Sequence, residues 1–216
     1  MAYDHEEQEQ LESIKAWWRK YGNLVTWALI IVLAGFGGWQ LWNKYQSKQS
    51  EQAAELFAEQ QKAVEAKDNA RILRVAADIQ KEYGNTSYGQ MSALFAAKSA
   101  LDNNDAAAAK TQFQWVLDHG KDAEYKAVAA VRLAGVLLDE KAYDDALKVL
   151  GGKFPDEFVS VVADRKGDVF TAQNKIEEAR AAFAEALEKA PAQDPARQLI
   201  QLKLDAIGGA GEKKVS

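Results

Sequence analysis

Ala163-Asp164-Arg165-Lys166-Gly167-Asp168-Val169-Phe170, then Ile176-Glu177-Glu178-Ala179-Arg180-Ala181-Ala182-Phe183-Ala184-Glu185-Ala186-Leu187, and then Pro191, carry the pattern from which the architecture follows. Small and large residues recur at helical intervals on either side of Asn174: Gly167 and Phe170 before it, Ala179, Phe183 and Ala186 after it. That spacing predicts a helix–turn–helix unit of about 34 residues, in which small residues sit where the two helices cross and large ones fill the gap to the next unit.

The pattern repeats towards the N-terminus. Thirty-three residues earlier, Leu133-Ala134, Leu137, Tyr143, Ala146 and Leu150 take the same roles, and 37 residues before those stand Ala96-Ala97, Ala100, Ala106, Ala109, Phe113 and Val116. The spacing is that of tetratricopeptide repeats, although Lys166 stands where a large residue usually precedes the glycine. The expected packing residues are Ala134, Ala146, Gly167, Phe170, Ala179, Phe183 and Ala186. Residues 51–83 are expected to form an atypical helix pair ahead of these repeats, and Asp194 to Ile207 to cap them. Breaks are expected at Asp68-Asn69, Gly84 to Ser87, Asn103-Asn104, Gly120 to Asp122, Gly151-Gly152, Asn174 and Asp194-Pro195. No segment alternates long enough to argue for a sheet. The class is all-α, with roughly eight helices of about 12–18 residues after position 45.

A different pattern occupies the N-terminal part. No charged residue lies between Lys20 and Lys44, and the apolar run from Leu24 to Trp42 rises about 28 Å as a helix, close to the hydrocarbon thickness of a bilayer. Trp17, Trp18 and Tyr21 precede the run and Trp39, Trp42 and Tyr45 close it, the placement of interfacial anchors at both membrane surfaces. Ala34, Gly35 and Gly38 offer a small-residue face on which another membrane helix can pack. The domain boundaries expected are 1–21, a short cytoplasmic amphipathic segment; 22–45, a transmembrane helix; 46–207, the repeat domain; and 208–216, a disordered tail. Lys15, Arg19 and Lys20 before the span against Lys44 and Lys48 after it favour a cytoplasmic N-terminus.

Composition excludes several functions. With no cysteine there is no disulfide, thiol nucleophile or Cys-held metal, and a net charge of −5 with a pI near 5.2 argues against a nucleic-acid partner. The two histidines, His5 and His119, fall on opposite sides of the expected membrane span. His119 reads as a cation at a helix C-terminus. Acidic neighbours such as Asp139-Glu140, Asp144-Asp145 and Glu177-Glu178 diverge around a helix rather than converging. No P-loop, calcium loop or nucleophile elbow occurs. The chain is expected to be no enzyme and to need no cofactor or metal.

Helical repeats of this kind present a concave face built from the first helix of each unit. By repeat position that face is expected to hold Met91, Leu94, Lys98 and Leu101, then Val131, Gly135 and Leu138, then Asp164, Asp168 and Thr171. The lysine–asparagine clamp used by carboxylate-gripping tetratricopeptide adaptors is missing: the corresponding pairs are Leu94/Lys98, Val131/Gly135 and Asp164/Asp168. The face suits a nonpolar segment, with two acidic residues at one end, or is filled by the protein's own packing.

Glu12-Ser13-Ile14-Lys15-Ala16-Trp17-Trp18, Gly38-Trp39-Gln40-Leu41-Trp42-Asn43, Tyr88-Gly89, Val131-Arg132-Leu133-Ala134 and Val162-Ala163-Asp164-Arg165-Lys166-Gly167 occur in an order and spacing that resembles the YfgM family, ancillary subunits of the bacterial Sec translocon. The resemblance covers nearly the whole chain. It implies a single-pass inner-membrane protein, N-terminus cytoplasmic and repeat domain periplasmic. It implies association with Sec translocon membrane subunits and with a membrane-anchored periplasmic chaperone of the prolyl-isomerase-like type; apart from the resemblance, a nonpolar concave face would suit unfolded translocating chains. The alternative is a self-assembling structural protein of the cell envelope.

Overall fold

In a computed structural model, described for residues 3–209 with side chains from residue 9 onward, every regular element among the described residues is helical. The expected tail beyond Gly209, and His5, Glu6 and Glu7 as side chains, lie outside that description. The chain divides into two units, Met1–Gln49 and Ser50–Ser216. The helices are α1 (Tyr3–Glu65), α2 (Asn69–Tyr83), α3 (Ser87–Asp102), α4 (Ala106–His119), α5 (Ala123–Asp139), α6 (Tyr143–Leu150), α7 (Val159–Ala172), α8 (Ile176–Lys189) and α9 (Ala196–Ala206).

In the first unit α1 is apolar enough to cross a membrane, with a mean hydropathy of 1.8 over its best window and no residue of that window buried. Trp17 lies 5.7 Å from Tyr21 and Trp42 6.1 Å from Tyr45 between ring centroids, so each end of the apolar run carries a small aromatic cluster. All six anchor residues are exposed. Ala34 is exposed too, and a Cβ added at Gly35 or Gly38 would meet nothing within 4 Å.

In the second unit the helices pair through one recurring turn. Lys67, Asn104, Lys141 and Asn174 each take a left-handed conformation, with φ of 54°, 59°, 61° and 58°. Each lies between the two helices of a pair. The next residue always returns its N–H to a carbonyl five residues back, as in Asp68 to Ala63 (3.0 Å), Asp105 to Ala100 (2.8 Å), Ala142 to Leu137 (2.8 Å) and Lys175 to Phe170 (2.9 Å). Such a turn satisfies carbonyls that the helix end leaves free. The pair expected to be atypical, the end of α1 with α2, therefore uses the same turn as the three repeats. Asn tolerates the left-handed region and marks two of these turns in sequence; lysine does not, so the turn at Lys67 is marked only by Asp68-Asn69 beside it, and the turn at Lys141 is absent from the expected breaks. Asp68 and Asp105 cap the following helices, accepting from Arg71 N (3.0 Å) and Ala108 N (2.9 Å). Asp194 accepts from Ala196 N (2.8 Å), and Pro195 has helical dihedrals at the start of α9. The expected minimum helix length fails at α6, only 8 residues long, which stops at Gly151-Gly152, and at α9, with 11.

Three core clusters follow the repeat spacing. Ala93, Ala97, Ala100, Ala109, Phe113 and Val116 pack on Ala129, Leu133 and Val136. Val131, Ala134, Ala146 and Leu150 pack on Val162 and Val169, and Ala163, Ala179, Phe183 and Ala186 on Ile200 and Leu204. The seven repeat-packing residues thus lie inside these clusters or, for Gly167 and Phe170, against the last one. Helix crossing is close where side chains are smallest. A Cβ at Gly167 would stand 2.6 and 2.7 Å from Phe183 ring atoms; at the turn between α2 and α3, one at Gly89 would stand 2.9 Å from the Gly84 backbone.

Polar residues join the repeats at a spacing near the repeat length. Gln60 is fully buried and donates from Nε2 to Ser92 O (3.0 Å). Gln90, 3% exposed, accepts at Oε1 from Lys121 N (3.0 Å) and Asp122 N (3.3 Å) and donates to the Asp122 carboxylate. Arg71 bridges α2 to Glu59 of α1 (2.8 Å) and holds that carboxyl below its ordinary value. At the far end the last two helices cap one another: Arg197 of α9 donates to the carbonyl of Ala190 (2.8 Å), and Arg180 of α8 to that of Ile207 (2.7 Å).

Candidate binding groove

Helices α3 and α5 are the first helices of neighbouring repeats, and between them lies an open cavity of about 420 Å³. Leu94, Phe95, Lys98, Leu101 and Asp102 of α3 form one wall, Val128 and Arg132 of α5 the other, and Phe113 of α4 completes the lining. Phe95 is 38% and Leu101 37% exposed, so the two present apolar surface side by side within one cavity. Phe95 also meets buried Phe57 edge-on, with centroids 5.4 Å apart, and Phe57 meets Tyr88 at 5.6 Å, so the groove wall is backed by the core at the end of α1 within the same unit.

Of the residues expected on this face, Leu94, Lys98 and Leu101 line the cavity. Met91 instead packs half-buried against the Phe57–Val75–Ile79 cluster. Val131 corrects the expectation for α5: it is 8% exposed and forms part of the core shared with α6 and α7, with Leu138 packed against that same cluster. The physical reason is that α5 lies between two neighbours. Val128 and Arg132 turn toward α3, while Val131, Gly135 and Leu138 turn toward α7; a Cβ at Gly135 would lie 3.7 Å from the Arg165 guanidinium.

Asp164 and Asp168 also require correction. They do not form a free acidic end. Lys203 of α9 sits between them, with Nζ 2.8 Å from Asp164 Oδ1 and 2.9 Å from Asp168 Oδ1, and Arg165 reaches Asp168 Oδ2 at 3.2 Å. Lys203 also stands 5.6 Å from the centroid of the Phe183 ring. Burial pushes the Asp164 carboxyl above its ordinary value, outweighing the hydrogen bonds from Lys203. The folded state therefore holds a proton on Asp164 at a pH where the unfolded chain has released it. Its stabilising effect is full in acid and is lost as pH rises through the folded value. Asp164→Asn is expected to leave neutral-pH stability within about 1 kcal/mol of the parent, since Lys203 keeps Asp168 as its ionic partner at 2.9 Å and is not left uncompensated. Its standing relative to the parent should be best at neutral pH and decline in acid; denaturant midpoints across pH 3–8 check the slope.

His119 has a structural contact. It ends α4, stacks on Trp115 (5.1 Å, 19°) and places Nδ1 3.2 Å from Trp115 O. No group of three or more His, Asp or Glu among the described residues is arranged to hold a metal ion.

Helical repeats carrying an open apolar groove, in a chain that also holds a membrane-length apolar helix, define a class of repeat-built binding scaffold. A family model described as a tetratricopeptide repeat-like domain matches residues 15–209. Proteins named ancillary SecYEG translocon subunit are similar along nearly their whole length: that of Neisseria gonorrhoeae at 32% identity, over 96% of this chain and 100% of its own, and that of Escherichia coli K12 at 28%, over 93% and 96%. The Haemophilus influenzae protein of the same name is 25% identical over 96% and 100%. The chain belongs to the YfgM family.

Proposed function

We propose that this protein is a membrane-anchored adaptor of the Sec translocon that receives nonpolar segments of translocated chains and passes them to a membrane-anchored chaperone of the prolyl-isomerase-like type. The α3–α5 groove carries this reading. It brings exposed Phe95 and Leu101 together with Leu94 in one open cavity between the first helices of neighbouring repeats. The relatives' name supports the Sec association. In the proposed topology residues 22–45 span the inner membrane, residues 1–21 are cytoplasmic, and the domain 46–207 is periplasmic. Trp17, Trp18, Tyr21, Trp39, Trp42 and Tyr45 anchor the span, and Ala34, Gly35 and Gly38 receive a helix of the translocon.

Two linked measurements test it. Purification in mild detergent is expected to recover channel subunits with the parent and to lose them when Ala34 and Gly38 are both replaced by leucine. A photocrosslinker at Leu101 is expected to form adducts with a defined secretory protein arrested during translocation, and with the chaperone after release. Recovery of no channel subunit, or adducts confined to the protein itself, overturns the reading.

A further inference from the structure

The rim of the α3–α5 groove is electrically uneven. Lys98 and Arg132 stand on opposite walls, and the single carboxylate of the lining, Asp102, is paired with Lys98 at 2.6 Å. Arg132 forms no ion pair among the described residues. The groove therefore has an apolar floor and a net positive rim, in a protein whose overall charge is −5. The Lys98–Asp102 pair is mostly solvent-exposed, with side chains 74% and 62% accessible, so Lys98 exchanges partners at little cost.

We propose that this groove selects a short extended segment in which large apolar side chains are accompanied by a carboxylate, the carboxylate pairing with Arg132. The inference rests on the groove reading above and adds the chemistry of its occupant. Length supports it: from Leu94 to Leu101 the helix rises about 10 Å, and an extended chain advances about 3.3 Å per residue with alternate side chains on one face. Two same-side apolar residues fill that length. A guanidinium is suited to the accompanying group, because it offers a planar fork that matches a carboxylate. Segments bearing Lys or Arg beside the same apolar residues bring like charges together at Arg132 and are disfavoured, which gives selectivity by repulsion as well as attraction.

The test uses the full-length protein in lipid nanodiscs and fluorescent Gly/Ser-rich peptides of about twelve residues. Each peptide carries one Leu and one Phe two positions apart, flanked by glutamates, glutamines or lysines. Fluorescence anisotropy at low salt is expected to give dissociation constants about threefold to tenfold lower for the glutamate peptide than for the lysine peptide, the ratio shrinking at high salt. Arg132→Glu should invert that order. Lys153→Glu, which makes the same charge change at an exposed residue outside the groove, should leave it standing. Equal binding of all three peptides, abolished by Leu94→Asp, keeps the groove and overturns its charge selectivity. An order that survives Arg132→Glu, or that Lys153→Glu changes as much, also overturns the selectivity. Absence of saturable binding for every peptide overturns the groove as well.

Discussion

Replacing Phe183 by alanine is expected to lower the stability of the repeat domain by about 3–5 kcal/mol, the cost of emptying a well-packed aromatic site. Phe183 is 2% exposed and lies in the cluster joining α7, α8 and α9, where its ring touches the backbone side of Gly167 and underlies the Lys203 ammonium. The loss should appear as an earlier denaturant midpoint in circular dichroism. Gly167→Ala on its own is expected to cost about 1–3 kcal/mol, because its methyl group would intrude on the ring. In the Phe183→Ala background the same methyl enters the vacated space and should cost little or nothing. A strongly non-additive cycle is therefore expected. If the two losses add, the ring of Phe183 does not set the size allowed at position 167.

The second large effect is expected at Gln90. Its amide serves the turn between repeats: Oε1 accepts from two successive backbone N–H groups, of Lys121 and Asp122, and Nε2 donates to the Asp122 carboxylate. Alanine at this position takes that acceptor from two turn N–H groups, of exposed Lys121 and half-buried Asp122, where water restores part of the loss, at a cost of about 1–3 kcal/mol. Because α3 would then lose its hold on the start of α5, amide exchange at residues 121–124 should accelerate more than exchange in α8. Combining Gln90→Ala with Asp122→Ala should cost less than the sum of the two. Uniform acceleration across all repeats, with additive losses, would show that the side chain does not fasten that turn.

The positions of these effects show what could be read from sequence. Gly167 with Phe183, and Ala134 with Ala146, announce themselves because a helix crossing needs small residues opposite large ones at fixed intervals. The membrane-length run is legible for an equally local reason, since length, lack of charge and terminal aromatics all belong to one segment. Asn104 and Asn174 mark turns because asparagine accommodates left-handed backbone. Lys67 and Lys141 adopt the same conformation without any residue preference for it, imposed by the helices on either side. Gln90 looks like an ordinary surface amide, and only its partners 31 and 32 residues away give it a role.

Sequence by itself determined that this protein combines an apolar helix of membrane-spanning length with all-helical tetratricopeptide-like repeats, because helical period and hydrophobic length are properties of contiguous residues. Tertiary structure decided which side chains form the groove. On α5 apolar residues point to both neighbours, so periodicity alone does not separate Val131, which faces α7 and is buried, from Val128 and Arg132, which face α3 and the cavity. It also decided the fate of Asp164 and Asp168, whose partner Lys203 comes from α9. Burial and charge pairing between helices depend on how the repeats stack, and that packing brings together residues that no local pattern connects.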